Sequence, residues 1–170
     1  MMKDLFNNSV LLQIAGFALI VYLLCCNRSL VEPKLKNQKW NGVSAQTNSY
    51  SCGASSLSMI FESHKIKVPL TVIEKAIIKK GEGCSFLDIK DYAKSFGLHA
   101  NGWNLTIEQL TLLDMPSIVI LNGSHFIVLD SISLNMIYIR DPLRGSIVLS
   151  KDQFMKSWGK NALEFKLAQK

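Results

Sequence analysis

The fold of this chain is decided by one stretch, Gln46 to Phe61, which reads QTNSYSCGASSLSMIF. It places a cysteine beside a glycine where the apolar residues Leu57, Ile60 and Phe61 begin to recur at helical spacing. This pattern predicts that Cys52 stands at or near the start of a helix. Because the free amides and the dipole of a helix N-terminus stabilise a thiolate, Cys52 is a candidate nucleophile. A lone cysteine in such a place is more often a buried structural thiol, so a catalytic partner is required.

The length and charge of the chain exclude some classes of function. The chain has 170 residues, of which 48% are hydrophobic, and this predicts one domain with a proper core. Its 19 Lys and Arg against 13 Asp and Glu give a net charge of +6. No long basic run is interleaved with aromatic residues, so a solvated basic surface is predicted rather than nucleic-acid binding. The same excess suits attraction of an acidic peptide or an anionic membrane face.

The N-terminal part of the chain is apolar. The segment Val10 to Cys26, VLLQIAGFALIVYLLCC, lies at the short end of the range for a membrane-spanning helix. It lacks a good cleavage site, so we predict an uncleaved single-span anchor over residues 1–27. A polar linker over residues 28–43, which contains Pro33, then leads to the folded domain over residues 44–170. Basic residues flank both ends of the segment, so the side of the membrane stays open.

Helical patterns come first in the domain, and strand patterns follow. Helices are predicted from Leu70 to Lys80, from Ser85 to Gly97 with a capping box, and from Thr106. The runs SIVIL, HFIVLDSI, MIYIRD and GSIVLS then read as strands, and a short helix capped by Ser150 precedes a last strand, LEFKLA. This order predicts an α+β fold with antiparallel strands. The helices are expected on one side of the sheet.

Two cysteines, Cys52 and Cys84, fall in the folded part. The chain has no CxxC pair and no cluster of Cys and His at ligand spacing, so no metal or other cofactor is predicted. A disulfide between Cys52 and Cys84 stays open at this stage. It would indicate a redox-regulated protein and would abolish thiolate chemistry.

His125 is the best candidate for the partner of the cysteine. It begins the strand HFIVLDSI directly after a turn, where a side chain can be exposed at the rim of a sheet. His64 lies too far along the helix of Cys52 to reach the thiol, and His99 looks like a surface residue. His125 alone could equally be a polar strand end.

The strand register predicts an acidic partner for His125. If Ser133 to Asn135 form the hairpin loop, Ile127 faces Asp141, and His125 shares a face with Asp141 one diagonal step away. Asp141 would then orient the imidazole, as the third member of a triad does. A two-residue loop would put the two side chains on opposite faces. The Asp141-Pro142 pair also reads as ordinary turn chemistry.

Two further residues beside the cysteine are candidates for the site. The amide N–H₂ of Gln46, together with the backbone N–H of Cys52, would bind the oxyanion that develops at the scissile carbonyl. Gly53 would let a substrate backbone come close to the thiolate. In isolation a glutamine in a loop carries no such meaning.

Taken together, these residues carry a resemblance. The chain resembles the bacteriocin-processing, double-glycine leader peptidase family, and the match covers Val43 to about Lys160. The positions that carry it are Gln46, Cys52-Gly53, His125, Asp141-Pro142, Gly145, Phe154 and Trp158. One position departs from the pattern, since Ser51 stands where the family usually has Asp. The resemblance implies a papain-like cysteine peptidase fold, with helices packed on an antiparallel sheet.

The resemblance also implies the chemistry and the partners. Cys52, His125, Asp141 and Gln46 would be catalytic, and Gly53, Ser51 and Trp158 would bind substrate. The substrate would be a peptide or protein cleaved after a Gly-Gly pair in its leader, and an ABC exporter or other secretion machinery would be a partner. The N-terminal anchor resembles that of stand-alone members, which implies a single-pass protein of the bacterial cytoplasmic membrane. The alternative function is a non-catalytic docking module that binds leader peptides for an exporter.

Overall fold

The computed structural model describes residues 40–79 and 81–168. Three helices come first: α1 (Cys52–Ser63), α2 (Leu70–Ile77) and α3 (Phe86–Lys94). The remaining elements are β1 (Leu98–Asn104), α4 (Ile107–Leu110), β2 (Ser117–Leu121), β3 (His125–Ser133), β4 (Met136–Asp141), β5 (Gly145–Ser150), α5 (Lys151–Ser157) and β6 (Trp158–Leu167). The predicted anchor over residues 1–27 and most of the predicted linker lie outside the described residues. Within the described residues, no helix is both long enough and apolar enough to cross a membrane.

The strands form one six-stranded antiparallel sheet in the order β1-β6-β2-β3-β4-β5. The α+β prediction with antiparallel strands is therefore confirmed. The strand β1 is not among the runs predicted as strands, because its residues, LHANGWN, have little strand preference. It pairs with β6 at the edge of the sheet, and this tertiary pairing outweighs the local preference. The last strand is longer than predicted, since it begins at Trp158.

The helices cover both faces of the sheet, so the expectation that they share one face is wrong. Successive residues of a strand point to opposite faces. Phe126 and Val128 of β3 pack in one core with α1, α2 and α3. Ile127 and Leu129 pack in a second core with residues of α4 and α5. The helices α4 and α5 are short, and both pack on the second face of the sheet.

Helix α1 is the element that the first core surrounds. Its residues Ala54, Leu57, Met59 and Ile60 are fully buried. A helix that is apolar on most of its circumference is stable only inside a core. The N-terminus of α1 is therefore held in place by packing.

The hairpin between β3 and β4 is shorter than predicted. Ser133 pairs with Met136, so Leu134 and Asn135 alone connect the strands, and the predicted three-residue loop is wrong. Leu134 takes a positive φ of 52° in this tight connection. Taken alone, the shorter loop shifts the register by one residue, and His125 and Asp141 would then point to opposite faces of the sheet.

A β-bulge at Asp130 reverses that shift. The register changes between Leu129 and Ser131, and beyond it Leu129 pairs with Ile139 and Val128 with Arg140. These are the pairs that the three-residue loop would have produced. The extra residue in β3 therefore restores the arrangement in which the start of β3 and the end of β4 present side chains on a common face.

Arg140 holds the bulge. Its Nε lies 3.0 Å from both carboxylate oxygens of Asp130, and its Nη2 lies 2.8 Å from Oδ1. The same guanidinium donates to the carbonyl of Gly42 and to Oγ of Ser63. Arg140 thus ties the bulge to the end of α1 and to the segment where the chain enters the domain.

Candidate active site

Cys52 is the first residue of α1, as the sequence predicts, and its side chain is almost buried. The Sγ atom lies 4.0 Å from the carbonyl oxygen of Ser124 and within hydrogen-bonding reach of His125. The backbone amides of Phe126 and Gly53 also favour the anionic form of the sulfur. Two elements therefore converge on the sulfur: the N-terminus of α1 and the start of β3.

These contacts favour the thiolate. Burial opposes ionisation of Cys52, but the hydrogen bonds from His125 and from the Phe126 amide, with the positive charge of His125, outweigh it. The pKa of Cys52 therefore lies below its ordinary value. A lowered thiol pKa in a cationic surrounding is the property of a reactive cysteine rather than a structural one.

His125 is positioned by the turn that precedes it. Asn122 and Gly123 take positive φ values of 51° and 75°, and β3 then starts with His125 opposite Leu121. Its Nε2 lies 2.8 Å from Oδ1 of Asp141. Because a carboxylate only accepts hydrogen bonds, Nε2–H is the donor, which leaves Nδ1 as the ring nitrogen for Cys52.

Asp141 is the buried anion of the site. Its side chain is 0% exposed, and besides His125 its carboxylate accepts hydrogen bonds from the backbone amides of Leu143 and Arg144 and from Arg144 Nε. Burial opposes its ionisation, but the hydrogen bonds from His125, Leu143 and Arg144 outweigh burial and lower the pKa of Asp141 to about 2. The carboxylate is therefore charged at any physiological pH.

The three side chains form a line from sulfur to carboxylate. The hydrogen bond to Asp141, then the one to Cys52, raises the pKa of His125 to about 9. At neutral pH the imidazole is consequently protonated beside a thiol whose pKa is lowered. This arrangement favours the thiolate–imidazolium pair that a cysteine nucleophile uses.

Gln46 lies at the site, with its backbone fixed to the turn after the triad aspartate. Its N–H donates to the carbonyl of Pro142 at 3.0 Å. The side-chain Nε2 donates to the carbonyl of Asn48 at 3.0 Å, which uses one of its two hydrogens. Its Oε1 is buried and has no hydrogen-bond partner among the described residues. The oxyanion role predicted for Gln46 stays a prediction.

Comparison with known proteins identifies the family. The model of the Peptidase C39 family matches residues 40–170, which is most of the chain. The chain belongs to the Peptidase C39 family. This is a family of cysteine peptidases, and the match spans every residue of the line from Cys52 to Asp141.

Curated relatives match over part of their length. The chain is 28% identical over 136 residues to the "Probable functional amyloid protease FapD" of Pseudomonas fluorescens, covering 73% of this chain and 60% of that protein. It is 27% identical over 119 residues to the "Colicin V secretion/processing ATP-binding protein CvaB" of Escherichia coli, covering 70% of this chain and 17% of that protein. The chain thus spans about 60% of the length of FapD and a small part of CvaB.

Solved structures share the fold. A double glycine motif protease from an AMS/PCAT transporter, in complex with the leader peptide, superposes with a TM-score of 0.71 at 30% identity. The match covers 74% of this chain and 91% of that one. The peptidase domain of Streptococcus ComA gives a TM-score of 0.68 at 19% identity, covering 75% of this chain and 98% of that one, and bears on the fold alone.

Ser51, where the C39 pattern usually has Asp, is a buried structural residue. Its Oγ accepts hydrogen bonds from the amides of Thr47 at 2.9 Å and Asn48 at 3.2 Å, and it donates to the carbonyl of Asn48. These bonds shape the loop between Gln46 and Cys52. Its assignment to substrate binding stays a prediction, but the contacts that the structure shows are within this loop.

Gly53 faces the core. A Cβ at this position would lie 2.3 Å from Sγ of Cys84 and 3.4 Å from Cδ2 of Phe126. Packing behind the nucleophile therefore requires a residue without a side chain at this position. A substrate that comes close to Gly53 would have to contact its backbone.

Both Cys52 and Cys84 are free thiols. Burial, then the negative charge of Cys52, raises the pKa of Cys84 to about 12, so this second thiol is not a nucleophile at neutral pH.

Trp158 lies on the same row of the sheet as His125. Leu121 of β2 pairs with His125 on one side and with Trp158 on the other. Two strand spacings, about 10 Å, therefore separate Trp158 from His125. Trp158 stacks on Phe154 and lines a cleft of about 230 Å³. The other lining residues are Leu105, Thr106, Ile107, Glu108, Met155 and Lys160.

Sequence reasoning missed two contributors to the site. The backbone amide of Phe126 favours the thiolate of Cys52, and no side-chain pattern could indicate it. The side chain of Arg144 binds Asp141. That residue could have been found, because an Asp and an Arg three positions apart within a tight turn can pair.

We predict that Gly53→Ala destabilises the domain by packing. The new methyl group would overlap the Cys84 sulfur, and overpacking of this kind costs about 1–3 kcal/mol of the free energy of unfolding. Chemical denaturation measures this loss. The double variant Gly53→Ala, Cys84→Ala should recover much of it, and Gly102→Ala, where a Cβ meets nothing within 4 Å, serves as the control. No recovery in the double variant would contradict this packing role of Gly53.

We predict that His125→Ala removes the activation of the thiol. Without the imidazolium, burial dominates, and the pKa of Cys52 should rise to or above that of an ordinary thiol. Alkylation of Cys52 by iodoacetamide at pH 7, followed by mass spectrometry, should slow by about tenfold or more. His64→Ala, at the far end of α1, should label like the wild type. An alkylation rate in His125→Ala equal to that of the wild type would refute the pairing.

Proposed function

We propose that this domain is a cysteine endopeptidase that cleaves its substrate after a Gly-Gly pair through a triad of Cys52, His125 and Asp141. The observation that carries the proposal is the order of three side chains: the thiol at the start of α1, His125 beside it, and a fully buried carboxylate that is hydrogen-bonded to His125. A module that only binds peptides has no need of a raised imidazole pKa beside a lowered thiol pKa.

The proposed reaction has two halves. The Cys52 thiolate attacks the scissile carbonyl carbon, and the carbonyl oxygen becomes an oxyanion. The backbone N–H of Cys52, in the first turn of α1 where amides lack an intrahelical acceptor, and the second N–H of Gln46 Nε2 would bind that oxyanion. His125 then donates its Nδ1 proton to the departing amine, which leaves an acyl group on the sulfur.

The second half regenerates the enzyme. His125, now neutral, accepts a proton from a water molecule that attacks the thioester carbon. The acyl–sulfur bond breaks, the carboxyl product leaves, and the thiolate again faces an imidazolium. Asp141 keeps Nε2–H of His125 bound throughout, so that Nδ1 always faces the sulfur.

The specificity for Gly-Gly is proposed from the relatives. The solved neighbour at 30% identity is a double glycine motif protease bound to a leader peptide. The thiol is almost buried, so a substrate without side chains next to the scissile bond would reach it most easily. The cleft beside Trp158, on the sheet row of His125, is the place where a further part of the leader would bind.

The partners are proposed on the same basis. CvaB is a secretion and processing ATP-binding protein, and FapD is a probable functional amyloid protease. We therefore propose that this domain serves a secretion system and processes a leader for an exporter or another export machine. A leader-binding module without catalysis is the alternative, and it requires no activated Cys52.

We predict that Cys52→Ala abolishes cleavage of a synthetic peptide containing a Gly-Gly leader. Loss of the nucleophile should lower the rate by about a thousandfold or more, with the melting temperature close to that of the wild type. Mass spectrometry of the products shows the cleavage position. Cys84→Ala, which changes the other folded thiol, should still cleave. Undiminished cleavage by Cys52→Ala would falsify the triad, and wild-type binding without cleavage would favour the docking module.

We also propose, from the sequence alone, that the apolar segment Val10 to Cys26 anchors the chain in the bacterial cytoplasmic membrane. The full chain should stay with membranes after alkaline carbonate extraction, whereas a variant lacking residues 1–27 should move to the supernatant. Release of the full chain by carbonate would contradict the anchor. A reporter fused after Lys170 would show which side of the membrane the domain occupies.

A further inference from the structure

The two oxygens of the Asp141 carboxylate have different partners. Oδ1 accepts hydrogen bonds from His125 Nε2 and from the Leu143 and Arg144 amides, at 2.8, 2.8 and 3.3 Å. Oδ2 is bound by the Arg144 side chain, with Nε at 2.6 Å. Among the described residues, Arg144 is the only hydrogen-bond partner of that oxygen.

Arg144 is brought to the carboxylate by its own turn. The chain leaves β4 at Asp141, and Gly145, with a φ of 85°, starts β5 opposite it. Within this turn the Arg144 side chain folds back to Asp141, so the guanidinium, about half exposed, lies between a fully buried carboxylate and solvent. The planar guanidinium donates along a defined direction, which a flexible ammonium group does not.

We propose that Arg144 is a positioning residue of the triad, which binds Oδ2 of Asp141 and thereby keeps Oδ1 directed at His125. This inference rests on the proposed function. Without Arg144, Oδ2 would be a buried acceptor without a protein donor, and the carboxylate would turn toward whatever water could reach it. His125 would then lose its fixed orientation toward the sulfur.

Arg144 also sets the charge of the site. The titratable groups that act on His125 are Cys52 from α1 and Asp141 from β4, and Arg144 is the cation bound to Asp141 on its other side. With Arg144 in place, the four groups form two neutral pairs, thiolate with imidazolium and carboxylate with guanidinium. Removing the guanidinium leaves one net negative charge, which favours protonation of both Cys52 and His125.

The test is the pH dependence of an arginine variant. In the wild type, kcat/KM should rise as Cys52 ionises and fall as His125, with a pKa of about 9, loses its proton. In Arg144→Gln, both inflections should move up by about half a pH unit or more, and kcat/KM at the optimum should fall about tenfold. Arg144→Lys, which keeps the charge but not the Nε donor, should restore the inflections and only part of the rate.

A control comes from a salt-bridged cation near the other end of β6 from Trp158. Lys166→Gln also removes one cation, but that ammonium group binds Asp114 and Glu164. It should leave both inflections in place even if it lowers the melting temperature. A purely structural role for Arg144 predicts the same pattern for Arg144→Gln, and that outcome would overturn the proposal. So would an equal shift in both variants.

A second readout separates this proposal from the proposed function. The pH profile of Cys52 alkylation by iodoacetamide reports the thiol without any peptide substrate. If the wild type cleaves no Gly-Gly peptide, the proposed function fails, and the alkylation profiles of the wild type and Arg144→Gln still decide the role of Arg144. If the wild type cleaves and Arg144→Gln leaves the inflections unchanged, only the role of Arg144 fails. Should Arg144→Gln not fold, Arg144→Lys decides it through a lowered rate at unchanged inflections, and a wild-type rate would count against the proposal.

Discussion

The hydrogen bond between His125 and the buried carboxylate of Asp141 is the contact on which the rest of the site depends. A charged carboxylate with no exposed surface is costly unless donors surround it, and here two backbone amides, an imidazole and a guanidinium do so. The carboxylate in turn holds Nε2–H of His125, so that Nδ1 faces the sulfur, and raises the imidazole pKa. The raised pKa of His125 keeps a cation beside Cys52 at neutral pH. Activation of the thiol is thus a consequence of a buried anion two side chains away.

That contact exists only because the register of β3 and β4 is correct, and the register has a local cause. The hairpin loop of Leu134 and Asn135 would by itself place His125 and Asp141 on opposite faces. The bulge at Asp130 corrects this by one residue, and Arg140 binds the carboxylate of the bulged residue through three donor–acceptor contacts. Asp130 is thus an indirect requirement of the site: it never touches the triad, yet it decides the face on which the triad forms.

Much of this arrangement could be predicted from the sequence, and the failures have physical reasons. The start of α1 at Cys52, the helix caps and the strand runs of β2 to β5 are set by local sequence patterns. The structure contains these elements where the patterns predict them. The hairpin loop was wrong because a bulge and a shorter loop together give the same pairing at Asp141 as a longer loop without a bulge. The strand β1 and the two-sided placement of the helices depend on tertiary pairing with β6 and on which face of the sheet offers a core. The packing reason for Gly53 was not accessible either, since it needs the position of Cys84.

Ser51, which stands where the family pattern usually has Asp, supports the loop before Cys52 without a charge of its own. The loop before Cys52 needs an acceptor for the amides of Thr47 and Asn48, and either a hydroxyl or a carboxylate could provide one. The hydroxyl of Ser51 also donates to the Asn48 carbonyl, which a carboxylate cannot do. A serine adds no charge next in sequence to Cys52, whereas an ionised carboxylate there would add negative charge near the thiol. Among the described residues, the acidic groups that act on His125 are then Cys52 and Asp141, and each has a cation beside it.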